Sequence, residues 1–262
     1  MVNLKKYNAT LKLFVLTLTI CVFHNGAFSQ MAVSVIEGKQ INVNETSGNL
    51  GFYNAFTSPY KTRIDKEMDD VLATCPETLD KSKGNAYQSN IGDLIADLTL
   101  EKTTPVFKTR EKIDIDICIL NHGGIRSILP AGNVTTRTAF QIMPFENTTV
   151  VVALKGEQIL EFIDYFIIGK KPHPTAGISF EIDANDKPTN IMVKDVPFDV
   201  NKTYYVVTSE YLSSGGDSMN FFKKGVKIYD LDYKLRNILL DYFKDIDVVP
   251  ITKKIKISKK TL

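Results

Sequence analysis

The chain has 262 residues, 44% of them hydrophobic and 24% charged, with 32 basic against 30 acidic side chains and a formal charge of +2. No net positive field argues for nucleic acid as a partner at this balance. No repeat, low-complexity run or Pro/Gly-rich linker divides the sequence, so one compact domain is expected beyond the leader.

Residues 1–29 have the pattern of a secretory signal peptide: Lys5, Lys6 and Lys12 make a basic start, LFVLTLTICVF is a short apolar run, and Ala27-Phe28-Ser29 is a small-residue cleavage site. The alternative, a retained anchor helix, needs about 20 apolar residues, more than this run offers. A lipid anchor on Cys21 is disfavoured because Ile20 stands where a small residue is required. Cleavage before Gln30 removes three lysines and no acid, which takes the charge from +2 to −1. The expected product is a secreted or periplasmic domain over 30–262, with no membrane span left after cleavage. Cys75 and Cys118 remain; Cys118 falls on a core strand, and the pair is open to either a disulfide or two buried thiols.

Residues 31–58 read as a strand pair with turns. PYKTRIDKEMDDVLATC follows as an amphipathic helix carrying Ile64, Met68 and Val71 or Leu72, stopped by Pro76. A second helix starts at Asn90, read as its cap, with Asp93 in the first turn and a stripe of Ile91, Leu94, Ile95 and Leu98. DIDICIL is a strand, and LNHGGIRS (120–127) the loop after it. TTRTAFQIM is a short helix closed by Pro144-Phe145, TTVVVALKG a β-branched strand, and GEQILEFIDYF a helix with Ile159, Phe162, Ile163 and Phe166 on one face. GISFEID, NIMVKDV and KTYYVVTSEYL are three strands, the last running into Ser213-Ser214-Gly215-Gly216-Asp217. A final helix is expected to carry Leu231, Leu235, Ile238, Leu239 and Tyr242, and the KKIKISKK tail to be a solvated end. Helices and strands interleave without a strict βαβ rhythm, so the expected class is α+β, a mixed β-sheet core with flanking helices.

Three of these segments end an element in residues suited to a small polar ligand. In LNHGGIRS, Gly123 and Gly124 permit close backbone approach, Asn121 both donates and accepts, and Arg126 offers a planar fork for phosphate or carboxylate. An ordinary glycine turn with a surface arginine is the plainer reading of that loop alone. PFEN sets Phe145 beside Asn147, and SEYLSSGGDS sets Tyr211 before Asp217. Two aromatics can sandwich a flat ring, and a carboxylate at a glycine turn can take the two hydroxyls of a ribose. Core packing is the alternative for both rings.

LNHGGIRS, AGNVTTRTAFQIMPFEN, LKGEQILEFIDY and YLSSGGDS, in this order, resemble the C-terminal domain of the 5'-nucleotidase, UDP-sugar hydrolase and cyclic phosphodiesterase family. PYKTRIDKEMDDV and SNIGDLIAD extend the likeness to about residues 58–225. The resemblance implies a substrate-recognition domain. Asn121 would face the base edge, Arg126 the phosphate or ribose, Phe145 and Tyr211 would stack on the base, Asn147 would supply an amide and Asp217 would hold the ribose. The chain departs from the family pattern at His122 for a loop glycine, at Asn85 for a phosphate-facing arginine, and at Ser218-Met219 for a glycine and an aromatic.

In the family, hydrolysis belongs to a separate N-terminal domain whose two metal ions activate water. Beyond the leader this chain has only His122 and His173, and none of the D-x-H, G-D-x-x-D, G-N-H-E or G-H-x-H motifs. No cofactor is therefore expected in this chain, and the divalent metal ions are expected in a partner metallophosphatase. Two functions follow. One is the recognition half of an exported nucleotidase that works with that separate chain; the other is a stand-alone protein that binds nucleotides or nucleosides.

Overall fold

The computed structural model describes residues 4–24, 37–44, 48 and 51–259. Two compact units are distinguished, Met1–Asn54 and Ala55–Leu262. The first holds helix α1 (Leu4–His24) and the start of α2 (Gly51–Met68). Among the described residues no helix is long and apolar enough to cross a membrane. The strand pair expected over 31–58 falls partly outside the described residues. Within them, 37–44 have no regular structure and 51–58 are helical.

In the larger unit the chain runs through β1 (Val71–Cys75), a small hairpin of β2 (Gly84–Asn85) and β3 (Gln88–Ser89), and α3 (Asn90–Glu111). Then come β4 (Ile117–Ile119), β5 (Gly132–Thr135), α4 (Thr136–Ile142), β6 (Thr148–Lys155) and α5 (Gly156–Gly169). Next are β7 (Thr175–Ala176), β8 (Ile178–Ile182), β9 (Pro188–Val193), β10 (Val196–Pro197), β11 (Thr203–Ser209) and the single turn α6 (Glu210–Ser213). The last elements are β12 (Lys227–Lys234), α7 (Leu235–Lys244) and β13 (Ile257–Lys259).

The central sheet has the order β12-β6-β11-β4-β7. It is mixed: β11 and β4 are parallel and the other pairs antiparallel. Its strands bury both faces, so β6 is apolar almost throughout and does not alternate with polar residues. Val150, Val152 and Leu154 pack with Ile159, Phe162 and Phe166 of α5. The intervening Val151, together with Cys118 and Val207, packs with Ile91 and Leu98 of α3 and Ile238 of α7. Each fully buried aliphatic side chain stabilises the fold by about 1.5–3 kcal/mol relative to leaving it exposed. A second mixed sheet, β10-β9-β8-β13, adds Ile178, Phe180 and Ile182 to the α5 side. This is the α+β class with a mixed sheet and flanking helices.

Several local expectations are corrected. The helix expected through Cys75 ends at Met68, and Val71–Cys75 pairs antiparallel with β5. Ala73 and Cys75 are the buried residues of that strand, a period-two pattern that overrides the helical spacing from Ile64. Ile64 itself is exposed. The cap of α3 is Ser89, whose Oγ accepts from Gly92 N at 3.2 Å. Asn90 is the first helical residue and its Oδ1 accepts from Asp80 N at 2.8 Å. Leu231 lies on β12, beside an irregularity in its pairing with β6, and not on α7. The lysine-rich tail is anchored within its described part: β13 runs parallel to β8, Ile257 is buried, and Lys256 Nζ lies 2.7 Å from Asp97 and 3.5 Å from Asp93. Cys75 and Cys118 are both buried and free.

Candidate functional site

The parallel pair β4 and β11 ends at one edge of the central sheet, and antiparallel β6 begins there, with Thr149 opposite Ser209. Lys234 at the end of β12 pairs with Thr148 at the same edge. Four connections therefore converge: the loop after β4, the segment before β6, the turn after β11 and the step from β12 into α7. The carboxyl ends of parallel strands are a recurrent place for ligand sites in α/β sheets.

All eight residues singled out in the sequence line one cavity of about 290 Å³ at this edge. Asn121, Gly123, Gly124 and Arg126 come from the loop after β4, Phe145 and Asn147 from the segment before β6, and Tyr211 and Asp217 from the turn after β11. The two rings are not core residues. Phe145 is 48% exposed and Tyr211 is 47% exposed.

Asp217 is the hub. Asn121 Nδ2 donates to its Oδ2 at 2.7 Å and Tyr211 OH donates to its Oδ1 at 3.0 Å. Tyr165 OH donates to its carbonyl at 2.9 Å. Each carboxylate oxygen has two lone-pair sites, so these bonds leave acceptor capacity on both. Asp217 and Ser218 have φ of 51° and 62°, in the left-handed region. This reverses the chain after Gly215 and brings the carboxylate back under Tyr211. Gly216 is required by that approach, because a Cβ there would lie 2.5 Å from Cε1 and Cζ of the Tyr211 ring. Gly124 is similarly tight, with Asn121 Oδ1 2.7 Å from the position of a Cβ.

Arg126 is exposed, and its Nη1 donates to Gly123 O at 3.3 Å. Its guanidinium carbon lies 5.7 Å from the centroid of Phe145, within cation–π range. Most of its donors remain available to an anion. The residues on either side of Phe145 are held by a residue the sequence did not mark. Arg236, on the first turn of α7 and 7% exposed, donates through Nη1 to Pro144 O at 3.0 Å and pairs with Glu146. Leu235 N also donates to Asn147 O at 3.0 Å. Arg236 was detectable only as a basic residue inside the apolar stripe of the final helix; Tyr165, on the site-facing side of α5, had no local signal.

Asn85 does not line this cavity; its amide donates to Ile257 O at 3.5 Å, and its Oδ1 accepts from Tyr87 N. Met219 fills a fully buried core position. His122 and Ser218 line a second cavity that adjoins the first through Gly123 and Asp217. Among the described residues no group of three or more His, Cys, Asp or Glu side chains is gathered to hold a metal ion.

A model of the family described as "5'-nucleotidase, C-terminal domain" matches residues 68–224, which include every residue of the cavity. The chain is 26% identical over 215 residues to a 5'-nucleotidase of Vibrio parahaemolyticus, covering 74% of this chain and 36% of that protein. It is 29% identical over 191 residues to the trifunctional nucleotide phosphoesterase protein YfkN of Bacillus subtilis, covering 66% of this chain and 13% of that one. A 5'-nucleotidase precursor of known structure from Thermus thermophilus superposes with a TM-score of 0.66 at 26% identity, over 80% of this chain and 43% of the other. The chain thus spans less than half the length of each of these relatives.

Proposed function

The chain belongs to the 5'-nucleotidase C-terminal domain family, and from that premise we propose that it is the nucleotide-recognition component of an exported 5'-nucleotidase-type hydrolase. In this reading it acts in nucleotide catabolism together with a separate metallophosphatase chain. The observation that carries it is the meeting of two half-exposed aromatic rings, a carboxylate and a guanidinium in one cavity. Base, sugar and phosphate each have a chemical counterpart there.

The base stacks between Phe145 and Tyr211, which contributes about 1–3 kcal/mol per base in nucleic-acid complexes. The remaining lone pairs of Asp217 accept from the ribose hydroxyls, the amides of Asn121 and Asn147 meet polar edges, and Arg126 takes the phosphate as a fork. Gly123 and Gly124 keep the floor free of side chains. The divalent metal ions belong to the partner, where such a pair activates water for attack on phosphorus. This chain's own residues bind and orient the nucleotide.

The second reading, a stand-alone nucleotide or nucleoside binder, is favoured by the fact that one chain supplies all eight cavity residues. Calorimetry with AMP and adenosine tests what the two readings share: both ligands bind, and Tyr211→Ala weakens both. Unchanged affinity removes Tyr211 from the site. Phosphate release separates the two readings. AMP hydrolysis that appears only when the chain is mixed with a secreted metallophosphatase supports the first, absence of stimulation favours the second, and turnover by the pure chain refutes both.

A further inference from the structure

The second cavity, about 370 Å³ in volume, shares Gly123 and Asp217 with the nucleotide cavity and is completed by His122, Tyr165, Lys171, His173 and Ser218. Arg126 lines the first alone and Lys171 the second alone. We propose that this adjoining cavity is a second anion subsite, which takes a phosphate carried on the ribose 2'- or 3'-oxygen of a nucleotide bound next door. The inference rests on the nucleotide reading above and extends it to a substrate class, nucleosides carrying two separate phosphates.

The shared wall supplies the geometry. Asp217 is the group assigned to the ribose hydroxyls, so a substituent leaving the sugar at that edge passes Asp217 and Gly123 into the second cavity. A Cβ on Gly123 would meet nothing nearer than Asn121 Nδ2 at 3.5 Å and Asp217 Oδ2 at 3.8 Å, so the passage is bounded by these polar groups and not by packed carbon.

Donors supply the chemistry. The Lys171 ammonium makes no hydrogen bond or ion pair among the described residues, and neither does the Ser218 hydroxyl. His173 is buried and its Nδ1 accepts from the His122 backbone N–H at 3.2 Å, which puts the ring proton on Nε2. His122 Nδ1 is sealed from solvent without a partner. The one acid on the wall, Asp217, is already held by Asn121 and Tyr211. Burial pushes both histidines toward the neutral form, and the charge of Lys171 acts in the same direction on each. Lys171 is the one cation on this wall and Asp217 the one acid, so an entering phosphate meets the ammonium on the side away from the carboxylate's bonded partners.

Calorimetry on the full chain compares adenosine, AMP, adenosine 2',5'-bisphosphate and adenosine 3',5'-bisphosphate. At least one bisphosphate binds about tenfold tighter than AMP, the advantage expected of one added charge-assisted contact. Lys171→Ala, an exposed position, removes that advantage and leaves AMP within about twofold. Ser218→Ala reduces it in part. AMP binding with no gain for either bisphosphate overturns the subsite while the nucleotide reading stands. A gain that survives Lys171→Ala also overturns it. No binding of any of the four removes both.

Discussion

Gly216 carries a test of the site that needs no polar group to be removed. A Cβ at this position would lie 2.5 Å from Cε1 and Cζ of Tyr211 and 2.7 Å from Cδ1. Carbon atoms rest at about 3.5–4.0 Å, so in Gly216→Ala the ring must retreat by about 1 Å. It is free to do so, because Tyr211 is half-exposed and held on its polar side by bonds to Asp217 alone. Gly216 does not have a positive φ, so alanine brings no backbone strain. The fold should keep its thermal midpoint while the stacking platform is displaced. If stacking supplies about 1–3 kcal/mol, AMP affinity falls by about 5- to 150-fold. Calorimetry of Gly216→Ala, Tyr211→Ala and the double variant separates the cause. In the Tyr211→Ala background the added methyl meets no ring and should change AMP affinity by less than about twofold. Fully additive losses, or an unchanged affinity in Gly216→Ala, refute the account of Tyr211 as the stacking ring.

Arg126→Ala should weaken AMP by about tenfold or more, the scale of a hydrogen bond to a charged group, and leave adenosine within about twofold; equal losses in calorimetry remove the phosphate role. Arg236→Met should lower the urea midpoint by the equivalent of about 1–3 kcal/mol, since Pro144 O loses its donor and Glu146 keeps only Lys234, and should also weaken AMP because the backbone beside Phe145 is no longer held. An unaltered AMP affinity at lower stability makes Arg236 structural only. His173 gives the pH dependence. Burial first, then the neighbouring His122 and Lys171, lower its pKa from 6.5 to about 4 against an opposing pull from Asp217. The unfolded chain then takes up the proton first, so its contribution is complete above about pH 6.5 and is lost as pH falls toward about 4, by about 3 kcal/mol in all. Urea midpoints at about pH 7.5 and about pH 5 should differ less in His173→Asn than in the parent; an identical difference refutes the assignment.

The core helices were legible because burial imposes a period, and the long strand β6 because it is a β-branched apolar run buried on both faces. The α3 stripe of Ile91, Leu94, Ile95 and Leu98 and the α5 stripe of Ile159, Phe162, Ile163 and Phe166 are buried as spaced. The site residues were legible for the opposite reason: glycines, amides and acids interrupt the pattern at strand ends. The remainder depends on partners far along the chain. Val71–Cys75 is a strand because β5 lies beside it and residues 247–249 pair with Thr74 on its other side. Lys256 looks like part of a solvated tail until α3 brings Asp93 and Asp97 to it and β8 receives Ile257. Arg236 and Tyr165 act on the site from helices whose stripes describe only packing, and the contact between Gly216 and the Tyr211 ring has no signature beyond a second glycine in a turn.

The energetics of the edge bear on function independently of the family. Burying a phenylalanine or similar ring stabilises a fold by about 1.5–3 kcal/mol, and the core of this chain does so at Phe107, Phe162 and Phe222. At Phe145 and Tyr211 that gain is forgone in part, and both exposed rings open on one cavity. The same turn holds Asp217 and Ser218 in left-handed backbone, which costs of order 1 kcal/mol or more for each such residue. The hydrogen bonds that Asn121, Tyr165 and Tyr211 make to Asp217 offset part of that cost and fix the carboxylate at the mouth. Partly forgone burial and left-handed backbone coincide at the edge where four connections meet, as the proposed ligand surface requires.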